Sequence, residues 1–247
     1  MNQALFSFQA ELNDFLPNKL RGVIFSYPFE DHQTIKHVIE SMGIPHCEVN
    51  HLRINECAVN FSARIGNGDL VSIYPVSQPA GSQDIVLQPK PDTVDSFLLD
   101  NHLGRLASYL RMLGFDTLYQ NDYQDDELAE IASHENRTLL TRDRRLLMRN
   151  SILSGYCIRH LDPRGQLMEV NQRFSLASRA QPFLRCLRCN HLLDPISKDA
   201  VLSRLEPLTR QYFDDFHICP ACNQIYWKGS HYDRMVKLVS ELIKPGF

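Results

Sequence analysis

The sequence predicts an α/β protein of three modules: a small β-grasp (α+β) domain, a parallel-sheet α/β domain and a zinc ribbon. Three observations predict it. Residues 5–77 combine short strand-like runs with one helical stretch. From residue 96, short apolar runs alternate with helix-spaced apolar faces. Two C-x-x-C pairs, Cys186/Cys189 and Cys219/Cys222, stand 29 residues apart. The modules fall at 1–85, 92–180 and 181–240.

The first module begins with Leu5 to Ala10, where Phe alternates with polar residues as in a half-buried strand. Ile35, Val38, Ile39 and Met42 then recur at helical spacing. Leu52 and Ile54, then Ala58 and Val59, flank a turn at Asn55-Glu56. Gly66 to Asp69 is a second turn, followed by a strand over 70–75. Strands, helix, strands is the β-grasp order. Pro75, Pro79, Gly81, Pro89 and Pro91 lie among Ser and Gln over 75–95. That is linker chemistry, and it places a boundary near 85–92.

Phe97-Leu98-Leu99 has the continuous apolar character of a buried parallel strand. Leu103, Leu106, Ala107, Leu110 and Leu113 form a helical face that ends at Gly114. Residues 117–119 are a second strand. Leu128, Ile131 and Ala132 mark a second helix, with Asp125, Asp126 and Glu127 in its first turn, where the dipole favours anions. Residues 138–141 and 156–158 are further strands. Helices start at Arg144 and around Leu167, Val170 and Phe174. This rhythm predicts a parallel sheet with helices on its faces.

Four thiolates in two C-x-x-C knuckles suit tetrahedral Zn²⁺, so Cys186, Cys189, Cys219 and Cys222 are the expected ligands of a structural zinc. With 247 residues, 43% hydrophobic and 22% charged, the chain can bury a real core. No run of 18 apolar residues exists and the N-terminus lacks a signal-peptide pattern, so neither a membrane partner nor export is expected. Seven cysteines, four at metal spacing, suit a reducing cytoplasm.

The net charge of −3 does not mark a nucleic-acid binder. It lies entirely in residues 1–90, with 6 basic against 9 acidic side chains; residues 91–247 hold 20 of each. There the cations are mostly arginine, whose planar fork suits phosphate.

Asp100 ends the first strand of the α/β part, Asp143 follows the third, and Asp125 or the adjacent Asp126 opens a helix. In an open α/β sheet, ligands gather at the carboxyl ends of strands. Singly, each Asp reads as a turn or cap residue. Together they read as a carboxylate cluster that needs a hard cation, Mg²⁺ or Mn²⁺, which can activate water against a phosphodiester. Asp162 precedes Pro163, which favours a plain turn over a fourth acidic member. Arg105, Arg142 and Arg144 stand one to five residues from these acids. They either grip substrate phosphates or pair with the aspartates and helix surface. Tyr226 and Trp227 stack on bases or pack the ribbon. His191 and His231 fall outside a filled four-cysteine site. Cys157 reads as a buried strand residue.

Phe97–Asp100, Leu103–Ala107, Leu110–Asp116, Asp125–Ala132 and Arg137–Asp143 together resemble the PIN-like RNase domain named from the C-terminal region of the Mut-seven exonuclease. The four cysteines and the trailing Ile225–His231 resemble that family's ribbon, and the N-terminal part resembles the ubiquitin-like domain found before it in bacterial members. The resemblance implies a metal-dependent ribonuclease acting on RNA through Asp100, Asp125 (or Asp126) and Asp143. The fourth acid of PIN-like sites has no assigned counterpart here. Gly68-Asp69 and Tyr74-Pro75 also resemble sulfur-carrier β-grasp proteins, but the Gly-Gly needed for thiocarboxylate chemistry is missing. The rival reading is a non-catalytic RNA-binding adaptor, with the ribbon on tRNA or rRNA and the β-grasp domain on a protein partner. A toxin-like nuclease fits the extra modules poorly.

Overall fold

The computed structural model describes residues 2–88 and 93–243. These form two compact units: one of residues 1–94 with 122–159, the other of 95–121 with 160–247. Pro89 and Pro91, at the expected boundary, lie outside the described residues.

The first unit opens with β1 (Asn2–Phe8) and β2 (Phe25–Phe29). Helix α1 (Ile35–Ser41) follows, then β3 (Val49–Ile54), β4 (Cys57–Val59) and β5 (Leu70–Pro75). The sheet order is β2-β1-β5-β3-β4, with β1 and β5 parallel and the other neighbours antiparallel. This mixed sheet fits the expected β-grasp. Thr34 caps α1 through its hydroxyl, and Ile35, Val38 and Ile39 are buried. Pro28 lies in β2, an edge strand, where its missing N–H interrupts no ladder on the solvent side.

Ile54 pairs with Cys57 across a two-residue loop. Its residues Asn55 and Glu56 have φ of 48° and 66°. Both central φ values are positive, as in the turns that match strand twist. Glu56 carries a Cβ where glycine is preferred.

The proline-rich stretch after β5 does not hang free. Leu87 N donates to Asn50 O at 2.8 Å, and Asn50 Nδ2 donates to Gln78 O at 3.0 Å. Asp84 is fully enclosed, accepting from Arg53 Nε at 2.8 Å and Gly81 N at 2.8 Å. His51 Nε2 lies 3.7 Å from Asp84, and its ring stacks on Tyr74 at 4.3 Å. Composition predicts a linker, whereas these side chains fasten the segment as far as Gln88 to β3.

The same unit contains α3 (Asp125–His134), β8 (Thr138–Thr141), α4 (Arg144–Leu147) and β9 (Gly155–Cys157). Strands β8 and β9 are parallel, from Leu139↔Gly155 to Thr141↔Cys157. Every residue of both is buried, as the apolar runs predict. The buried Glu48 carboxylate receives Cys157 N at 2.7 Å, and His46 Nε2 meets Ile152 O at 2.8 Å. Gly155 has no space for a side chain: an added Cβ would lie 2.6 Å from Leu147 Cδ2 and 3.3 Å from Cys47 Sγ. The β-grasp residues 46–48 are thus packed directly onto β9.

The second unit contains β6 (Ser96–Leu99), α2 (Gly104–Met112), β7 (Asp116–Tyr119) and α5 (Pro163–Phe174). Strands β6 and β7 are parallel, from Ser96↔Asp116 to Leu99↔Tyr119. Phe97 packs edge-on against Phe115 and Phe174. Then come β10 (Asp194–Ile196), α6 (Lys198–Val201), α7 (Pro207–Tyr212), β11 (Phe216–Ile218), β12 (Ile225–Trp227) and α8 (Ser230–Ile243). Strands β10, β11 and β12 form an antiparallel sheet. Val201, Leu205, Phe216 and Ile225 give it a small core.

Two predictions follow from the β-grasp. Replacing Glu56 with Gly relieves the left-handed strain and raises stability by about 0.5–1 kcal/mol, since the exposed Arg53–Glu56 pair lost is worth less than the strain. A denaturant midpoint at or below the parent value would reject this.

Acid sensitivity is the second. Burial holds the His51 imidazole below its ordinary value of 6.5; Asp84 opposes the shift and Arg53 adds to it. A depressed imidazole binds fewer protons when folded than unfolded. Its contribution to stability is therefore complete above pH 6.5 and is lost as pH falls through the folded value. His51→Phe keeps the stack on Tyr74, and it is expected to lose less stability between pH 7 and pH 5 than the parent. Equal losses would exclude His51 as the source.

Candidate functional site

Asp100 and Asp143 follow parallel strands and Asp125 and Asp126 open a helix, as their placement in the sequence predicts. In the second unit Asp100 directly follows β6 and caps a 3₁₀ turn over Asn101–Leu103, accepting from Asn101 N at 2.6 Å. Tyr119 Oη, from the end of β7, donates to Asn101 O at 2.9 Å. Burial raises the Tyr119 pKa; the Arg111 charge opposes the rise and the charge of Asp100 adds to it. Gly104 makes room for it: a Cβ there would lie 2.6 Å from Tyr119 Oη. Asn101 Oδ1 is buried without a hydrogen-bond partner.

In the first unit Asp143 follows β8 and caps α4, accepting from Arg145 N at 2.7 Å, while its own N–H donates to Thr141 Oγ1 at 2.9 Å. The cap uses Oδ1. Asp125 and Asp126 open α3, whose first turn carries a capping box between Gln124 and Glu127. Asp126 forms an ion pair with Arg149. The hydrogen bond to Asp126 raises the Arg149 pKa most; burial opposes it, and the charges of Asp126, Asp125 and Asp143 raise it further. One guanidinium therefore feels all three carboxylates, a formal charge of −3 + 1 = −2. Asp126, the alternative to Asp125, is the one that Arg149 holds. Among the described residues, only the four cysteines gather as three or more ligating side chains with their atoms within 4.8 Å.

Each donor set can be tested against the metal it would take. Carboxylates repel one another at close range unless a cation joins them. A buried, unsatisfied amide oxygen beside Asp100 is a further hard donor of the kind Mg²⁺ or Mn²⁺ prefers. Carboxylate and amide oxygens are the donor type that a hard divalent cation takes.

Asp162, weighed as a fourth acid or a turn residue, accepts from Gly165 N at 2.8 Å and caps α5, with Pro163 in the first helical turn. Arg105 is exposed on α2. Among the described residues Arg144 pairs with no aspartate: its Nη1 donates to Phe15 O at 3.2 Å and its guanidinium lies 4.8 Å from the Phe15 ring centre. Arg142 is exposed between Thr141 and Asp143.

The cysteines meet as their spacing predicts. Cys186 Sγ lies 3.5 Å from Cys222 Sγ, and Cys189 Sγ lies 3.3 Å from Cys219 Sγ. Four sulfurs around Zn²⁺ at about 2.3 Å stand about 3.8 Å apart, so the set could hold a metal such as zinc. Burial pushes the Cys186 thiol up, but hydrogen bonds led by Tyr226 outweigh it and bring the thiol to about 6. Burial leaves Cys189 at about 12. Tyr226 Oη sits 3.1 Å from Cys186 Sγ and accepts from Leu187 N at 3.1 Å, so Tyr226 braces the knuckle. Trp227 packs against Phe216 and stays partly exposed. His191 Nδ1 lies 3.7 Å from Cys189 Sγ, beside the four-sulfur set.

Sequence reading missed what supports the first knuckle. Arg111 is buried on α2, and it donates to Thr117 O at 2.9 Å, Leu187 O at 3.2 Å and Arg188 O at 2.9 Å. Asn190, with φ of 75°, accepts from Thr117 N and donates to Asp116, each at 2.9 Å. An arginine on an apolar helix face was the available signal.

Comparison with known families finds two matches. A model described as Mut7-C RNAse domain matches residues 95–239, and one described as Mut7-C ubiquitin matches residues 1–81. No curated protein and no solved structure matches the chain. Among the described residues, no helix is long and apolar enough to cross a membrane.

Removing the buried guanidinium should uncouple the knuckle from α2. Arg111→Met strands three carbonyls and is expected to cost about 3 kcal/mol. It should also speed transfer of bound Zn²⁺ to a colorimetric chelator. Parent-like unfolding and metal release would show that Arg111 is dispensable.

Proposed function

The chain belongs to the Mut7-C RNAse family, and we propose that it is a PIN-like ribonuclease hydrolysing RNA phosphodiester bonds at a carboxylate-held Mg²⁺ or Mn²⁺ site. The observation that carries this reading is the position of Asp100 and Asp143. Asp100 directly follows one buried parallel strand and Asp143 stands two residues past the end of another, and both lie within the stretch that the RNAse model matches.

Asp100, Asp125 and Asp143 are the metal-holding set in this reading, with Asn101 Oδ1 as an added oxygen donor. A divalent cation bound there supplies the charge that makes water acidic and steadies the leaving oxygen. The chain's own residues set the rest. Asp143 keeps one carboxylate oxygen on the α4 cap, which fixes the direction of the other. Tyr119 holds the Asn101 carbonyl and so the turn that presents Asp100. Arg105, Arg142 and Arg144 bind substrate phosphates. Cys186, Cys189, Cys219 and Cys222 hold a structural Zn²⁺ that shapes the ribbon. Ligand thiolates of this kind suit a reducing cytoplasm. The domains we assign are 1–85, 92–180 and 181–240, with the β-grasp domain also open to a protein partner.

Purified protein incubated with end-labelled total RNA should give products in Mg²⁺ or Mn²⁺ and none in EDTA. Asp143→Asn and Asp100→Asn are each expected to lower the rate roughly a hundredfold or more with unchanged circular dichroism. Undiminished cleavage by folded variants would dismiss this site. RNA bound but uncut in either metal would favour an RNA-binding adaptor.

A further inference from the structure

A cavity of about 350 Å³ in the first unit is lined by Asp14, Phe15, Arg142, Arg144, Cys157, Ile158 and Arg159. Its residues come from two stretches far apart in the sequence. Asp14 and Phe15 belong to a 3₁₀ turn of the β-grasp region, over Ala10–Phe15. The others flank β8 and β9.

Phe15 is the platform. The guanidinium of Arg144 lies 4.8 Å from its ring centre and that of Arg159 lies 4.9 Å from it. Arg159 also lies 5.1 Å from the Tyr156 ring centre. Two guanidinium groups would normally repel; an aromatic face offsets this by attracting both. Backbone oxygens orient them further: Arg144 Nη1 donates to Phe15 O at 3.2 Å, and Arg159 Nη1 donates to Cys157 O at 3.1 Å. Buried Glu48 steadies Arg159 from behind at 3.6 Å. Asp14 lies 3.5 Å from Arg159 and is half exposed, so an incoming anion can displace it. Three guanidinium groups against two carboxylates leave 3 − 2 = +1 around the cavity. Arg142 is next to Asp143 in the chain, so this cationic cavity and the candidate acid share one loop.

We propose that this cavity grips an RNA backbone phosphate close to the scissile bond, with Arg142, Arg144 and Arg159 as the phosphate contacts and Phe15 of the ubiquitin-like domain as the positioning residue. The β-grasp domain is then part of the substrate-binding surface. The proposal rests on the ribonuclease reading for its ligand, and it adds Arg159 and Phe15 to the expected arginines. Oriented guanidinium groups recognise phosphate oxygens through paired N–H donors.

The test measures binding of a fluorescein-labelled single-stranded RNA 12-mer to the full chain in EDTA, across a salt series. Each of Arg142→Gln, Arg144→Gln and Arg159→Gln should weaken binding roughly tenfold and flatten the log–log salt slope by roughly 0.7. Arg64→Gln removes an exposed charge elsewhere in the same unit and should leave the slope unchanged. Phe15→Leu keeps apolar volume but loses the ring, and should weaken binding about threefold, with Phe15→Tyr restoring it. Arg142 is exposed, so its variant folds even if the buried Phe15 variants do not. Unchanged affinity and slope in Arg142→Gln and Arg144→Gln overturn the grip, even if the protein cleaves RNA. Flattened slopes in a protein that never cleaves RNA keep the grip and overturn the nuclease reading. A parent protein that binds no RNA overturns both.

Discussion

The buried guanidinium of Arg111 is the interaction on which the second unit depends. A charged group removed from water is costly unless its donors are met. Here they are met by the carbonyls of Thr117, Leu187 and Arg188. Two of those carbonyls lie inside the first cysteine knuckle, and the third lies in β7. One side chain thus joins helix, strand and knuckle. Asn190 repeats the arrangement with polar bonds to Thr117 and Asp116. The knuckle is held by polar groups of α2 and β7, and the buried cluster of Val201, Leu205, Phe216 and Ile225 has only to support the small antiparallel sheet.

The first unit uses the same device with opposite charge. Glu48, buried at the end of a β-grasp turn, takes the Cys157 amide and faces Arg159. The residues around it, His46 and Cys47, lie against Ile152 and Leu147. The ubiquitin-like domain therefore helps to build the end of β9, the neighbour of the strand that Asp143 follows. Arg159, which Glu48 faces, also lies over the Phe15 ring that lines the cavity.

Much of the fold was legible because periodicity reports burial. Strands 70–75 and 138–141 appear at the bounds their apolar patterns predict, and the Asn55-Glu56 turn appears with both φ values positive. Strand β2 was not legible: it has little alternation, includes a proline, and owes its state to pairing with β1. The elements between and after the cysteine pairs, from β10 to α8, were also missed. Spacing shows where knuckles lie and is silent about the 29 residues between them. The proline-rich stretch after β5 has the composition of a linker, but the buried Asp84 fastens it to Arg53. A single acid at sequence distance 31 from its partner leaves no local pattern.

The sequence alone determined the strands 70–75 and 138–141, the meeting of the four cysteines and the placement of Asp100 and Asp143 after strands, because each depends on local periodicity or on residue type at fixed spacing. Tertiary structure decided which partners those residues meet. It put Arg149 on Asp126, turned Asp162 into a helix cap, and brought Phe15 to two arginines more than a hundred residues away. Such pairings arise from desolvation and charge satisfaction between distant segments, and no short-range pattern records them.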